Sequence, residues 1–105
     1  MIPFKFIRVG IYDVKIEKLK GREEDECLGL YKNESQTIYL LEKMSSDRQE
    51  AVIFLHELFH AILSIQGIGG GKIQEEQAVD ALSTGLAMVI RDNPELMEWL
   101  KGKLS

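Results

Sequence analysis

One cysteine, two histidines and two prolines are present among 105 residues, and the scarcities are informative. With Cys27 alone, no disulfide can close within the chain, which fits a reducing, cytoplasmic setting. Cys27 lies in "ECLGLY", a strand-like stretch where a small buried side chain is expected, and its spacing from the histidines gives little support to a metal-ligand role. Long hydrophobic runs are also missing. The one strongly apolar stretch, Val52 to Leu63, is too short to span a bilayer and carries charge. "MIPFKFIRV" lacks a long apolar core and a small-residue cleavage site, so no signal peptide is expected. Positive charge is not in excess. A net charge of −4 and a pI near 5.2 argue against nucleic acid or an anionic membrane as the main partner. Repeats, low-complexity tracts and linker-like runs are absent.

What remains is ordinary for a soluble globular protein: 45% hydrophobic and 29% charged residues, at a length that suits one domain over residues 1–105. Up to Met44 the pattern alternates and is rich in β-branched and aromatic residues. "FKFIRVGIYDVKIEKL" places Phe4, Phe6, Ile11, Val14 and Ile16 on apolar positions, with a bulge or bend at Gly10. "GREEDE" reads as a solvated turn, and "CLGLYKNESQTIYLLEK" as a hairpin turning at "KNES". Beyond Met44 the period becomes helical. Ser46 with Gln49 three residues on forms a capping box, and the helix runs to about Ile65, where "QGIGGGK" stops it. "IQEEQAVDALSTGLAMVIRD" gives a second helix, and "PELMEWLKGKL" a third with Pro94 at its first position. The expectation is an α+β fold: a small antiparallel sheet of about three strands, then three helices packed on one face. Leu55, Leu58, Phe59 and Ile62 of the first helix and Val79, Leu82, Leu86 and Ile90 of the second are expected in the core, with Trp99 stapling the third helix to it.

The apolar run raises one question. "VIFLHELFHAIL" places His56, Glu57 and His60 in a helix otherwise suited to burial, and these are the only histidines in the chain. Residues four apart lie roughly 40° from each other around a helix, one turn apart on the same face. Two imidazoles so placed can bind one Zn²⁺, and the carboxylate of Glu57 can take a proton from water at the open metal position. A catalytic zinc usually takes a third protein ligand. A metzincin would need Gly in place of Leu63 and His in place of Gln66, so that class is excluded. Glu75, Glu76 and Asp80, opening the second helix, are the remaining candidates, the glycine loop allowing the reversal that would lay this helix beside the first.

"HELFH" followed by "EQAVD" resembles the gluzincin metallopeptidases, the thermolysin type. The whole chain looks like the compact zinc metallopeptidases of phage and prophage related to the ImmA/IrrE type. That resemblance implies Glu76 as third ligand, with Glu75 the alternative if the helix is rotated by one residue. It implies Asp80 as the carboxylate that holds a ligand histidine by its other ring N–H, a support most zinc-bound imidazoles have. It further implies peptide-bond hydrolysis on a peptide or protein substrate, which in zincins is held along the edge strand preceding the active-site helix, here Thr37–Leu41. Tyr39 or Tyr31 would offer a phenol to the oxyanion, or serve simply as a packed strand aromatic. The chain lacks the second domain of thermolysin, so a second copy or a protein partner would complete the cleft. The alternative function is a non-catalytic, zinc-stabilised partner-binding protein of phage or prophage origin, in which Glu57 has no chemical task.

Overall fold

The computed structural model describes residues 2–19, 28–67 and 75–105, the side chains of Glu75 and Glu76 excepted. Cys27 and most of the glycine loop lie outside the described residues. The order is β1 (Phe6–Val9), β2 (Tyr12–Lys18), β3 (Gly29–Lys32), β4 (Thr37–Leu40), α1 (Asp47–Ile65), α2 (Glu75–Asp92) and α3 (Pro94–Leu104). This is an α+β fold, with four strands where about three were expected and one parallel pair in a sheet expected to be antiparallel throughout.

Both differences have local causes. Gly10 does more than bend a strand. Its φ of 63° starts a two-residue turn that pairs Val9 with Tyr12 and splits the first stretch into the β1–β2 hairpin. The sheet order is β1-β2-β4-β3, because the strand most completely buried takes the interior place. In β4, Thr37 is 1%, Ile38 0% and Leu40 6% exposed. It therefore pairs with β2 in parallel and with β3 antiparallel, which leaves β3 at the edge. The expected edge strand, Thr37–Leu41, is interior and cannot take a further strand.

Ser46 caps α1 by accepting from the Gln49 N–H at 3.1 Å, while the Gln49 side chain reaches back to the Ser45 N–H at 2.9 Å. Ala51, Phe54, Leu58 and Ile62 of α1 then close over Ile7, Val14, Ile38 and Leu40 of the sheet. In α2 the inward face is displaced by one residue from the expected one. Ala81, Gly85 and Val89 are buried, whereas Val79 and Ile90 are about half exposed, and Leu82 and Leu86 are intermediate. The reason is close approach: any side chain at Gly85 would collide with Ile62, and Gln66 donates to the Ala81 carbonyl at 2.6 Å. Small residues face α1, so the bulky stripe turns out by one helical step.

Asn93, just before α3, closes the β1 edge. Its amide accepts from the Arg8 N–H and donates to the Arg8 carbonyl, both at 2.8 Å, as a neighbouring strand would. Trp99 meets Phe54 and Phe4 edge-on and ties α3 to the core as expected. No helix among the described residues is long and apolar enough to cross a membrane.

Candidate metal centre

The helical spacing of His56 and His60 brings their side chains together on the exposed face of α1. Their Nε2 atoms lie 3.2 Å apart, with ring centroids 4.8 Å apart and ring planes at 74°. That separation matters for a metal. With Zn–N bonds of 2.0–2.1 Å and a tetrahedral angle, two ligand nitrogens stand about 3.3 Å apart. The separation of the two imidazole nitrogens is close to that spacing, and it is equally that of a hydrogen bond between the two rings. Among the described residues no third His, Cys, Asp or Glu joins them. Asp80 is exposed on α2 and is not grouped with the pair. Glu75 and Glu76 open α2, and their side chains lie outside the described residues.

Glu57 points sideways from the same turn, toward β3. It is 7% exposed, and its stem packs at Gly29. No buried side-chain oxygen among the described residues lacks a hydrogen-bond partner, and no bond ties the Glu57 carboxylate. Its side chain thus lies in the seam between α1 and β3.

The edge strand beside this seam is β3. The Leu41 N–H donates to the Leu28 carbonyl at 3.0 Å, and antiparallel alternation then makes Leu30–Tyr39 and Lys32–Thr37 the bonded pairs. Gly29 and Tyr31 turn their N–H and C=O groups to the open side, and no bond from another described backbone group reaches them. One sheet edge is closed by Asn93. The other, along β3, has no further strand among the described residues.

Neither tyrosine offers its phenol to that pair. Tyr39 shares the outer face of the sheet with Leu30 and Glu17, away from α1, and Lys32 sits over its ring at 5.4 Å. Tyr31 is on the inner face, but its hydroxyl meets Asn33 Oδ1 at 3.4 Å, and the Ser64 hydroxyl donates to the same oxygen at 2.6 Å. Ser64 lies one turn past His60. Burial pushes the Tyr31 phenol above its ordinary pKa, an effect partly offset by its hydrogen bond with Ser64. This knot pins the β3–β4 turn to α1.

Sequence reasoning missed Gly29, Asn33 and Ser64. Gly29 alone carried a signal, since a glycine inside a strand often marks a close approach of backbone to another group. No sequence-family profile, curated protein or solved structure matches this chain.

Proposed function

We propose that the chain is a zinc-dependent metallopeptidase, working in the cytoplasm on a peptide or protein segment. The observation that carries this reading is the 3.2 Å between two exposed imidazole nitrogens, a ready-made edge of a zinc site. His56, His60 and Glu76 would hold the metal, with Asp80 supporting a ligand histidine. Bound zinc would supply Lewis acidity, polarising a carbonyl and making water a stronger acid. The remaining work belongs to the chain itself. Glu57 presents a carboxylate at the seam, where it can accept a proton from water and hand it to the leaving amine. Gly29 and Tyr31 hold an extended segment by main-chain pairing at the open edge of β3, in the role first expected of Thr37–Leu41. The chain forms one wall of a cleft, and a second copy or a partner supplies the other.

The test is elemental analysis for zinc, followed by peptide hydrolysis with the native protein and Glu57→Gln. The variant is expected to keep its zinc and its melting temperature while losing hydrolysis by a factor of a hundred or more. An undiminished rate in Glu57→Gln would falsify the enzymatic reading and leave a zinc-stabilised binding protein.

A further inference from the structure

We infer that Gly29 is a positioning residue: its missing side chain sets how closely the β3 edge, and any peptide paired to it, lies to Glu57. The inference rests on the peptidase reading and concerns the distance on which that chemistry depends. A Cβ built on Gly29 would stand 2.7 Å from Ile53 Cγ2, 3.2 Å from Glu57 Cγ and 3.3 Å from Leu40 Cδ2. The first is closer than two carbon atoms can pack. Ile53 is β-branched, so its γ-methyl cannot swing clear as the end of a long side chain would. Leu40 and Ile53 close the other directions around the same point.

The glycine is not there for backbone freedom. Gly29 lies within a regular strand, and the glycines with positive φ among the described residues are Gly10 and Gly67. Alanine can adopt the Gly29 backbone, so its cost is purely one of contact. The strand must move off α1, or Glu57 and Ile53 must move away from the strand. Either motion opens the seam in which the Glu57 carboxylate sits. The groups that pair a substrate, the N–H and C=O of Gly29 and Tyr31, keep their pattern and move with the strand. His56 and His60 lie on the exposed face of α1, and neither is among the three atoms nearest a Cβ at Gly29.

These facts give Gly29→Ala a distinctive signature. The zinc-loaded variant should lose at least tenfold in kcat with KM changed less than threefold, because the segment still pairs but is held out of register with the carboxylate. Co²⁺ titration of the metal-free variant should show native affinity and an unaltered absorption spectrum. Ile53→Ala removes the nearest methyl, so kcat of Gly29→Ala/Ile53→Ala should return to within threefold of Ile53→Ala alone. The double variant also serves if the single one does not fold. Native kcat in Gly29→Ala, or no rescue by Ile53→Ala, overturns the role of Gly29 while the peptidase reading stands. Absence of hydrolysis by the native zinc-loaded protein overturns both.

Discussion

Gln36 ends the β3–β4 turn with φ 48°, a left-handed conformation that costs a residue with a Cβ about 1–2 kcal/mol. Glycine has no such penalty but loses more chain entropy on folding, about 0.5–1 kcal/mol. Gln36→Gly should therefore raise stability modestly, by about 0.5–1 kcal/mol in urea unfolding, and leave metal binding unchanged. Gly85 is the opposite case. A methyl there drives into Ile62, so Gly85→Ala should cost about 1–3 kcal/mol, with Ile62→Val compensating little because the colliding γ-methyl remains. The difference in legibility between such residues and the metal pair is physical. His56, Glu57 and His60 are set by spacing within one helix, which the chain order states directly. Gly29 and Gly85 matter through Ile53 and Ile62, and a contact between elements leaves only a bare glycine in the sequence.

Among the elements, the three helices were legible, whereas the split of the first stretch into β1 and β2 and the pairing of the strands were not. The cap of α1 is a local pattern, and Ser46→Ala should cost about 1 kcal/mol of stability by loss of the bond to the Gln49 N–H. Strand order depends on which strand is most buried, and in this chain that is a matter of what β4 meets on both sides. The inward face of α2 lies one residue from its bulky stripe, because close helix packing selects Ala81 and Gly85 over bulk, and bulk is what a sequence displays. The tie between α1 and α3 was not legible at all. Lys103 bonds Glu50 at 2.8 Å and Asp47 at 3.0 Å and lies over the Trp99 ring. Burial acts to raise the Glu50 carboxyl, but hydrogen bonding and charge from Lys103 and from the N-terminal amine act against it, and it ends below its ordinary pKa. The Lys103 ammonium is raised, first by its bond to Glu50 and then by that to Asp47. A depressed acid stabilises the fold above its unfolded pKa, about 4.3, and that contribution fades as pH falls through the folded value. A raised base stabilises below its unfolded pKa, about 10.4, and its contribution fades as pH rises through the folded value. The tie is thus fully present between those limits. Lys103→Met should cost about 1–2 kcal/mol at pH 7, and the gap from the native protein should narrow as urea titrations are taken below pH 4.

For the molecule as a whole, the proposed site would draw its ligands from α1 and the first turn of α2. A ligand set that spans two elements binds the folded state and not the unfolded chain, so zinc should stabilise the fold by mass action. At about one hundred times its dissociation constant the gain is about 2.7 kcal/mol, which for a domain of this size raises the melting temperature by roughly 10–20 °C. Because Glu57 binds no metal in the proposed site, Glu57→Gln should show the full shift. His60→Ala should abolish it, and Glu76→Gln should reduce it to a few degrees, since two imidazoles on one helix turn bind weakly without a ligand from α2. An undiminished shift in Glu76→Gln with loss in Glu75→Gln would move the third ligand by one residue and keep the reading. A shift that survives both His56→Ala and His60→Ala would put the cation elsewhere on the chain, and the peptidase assignment would go with it.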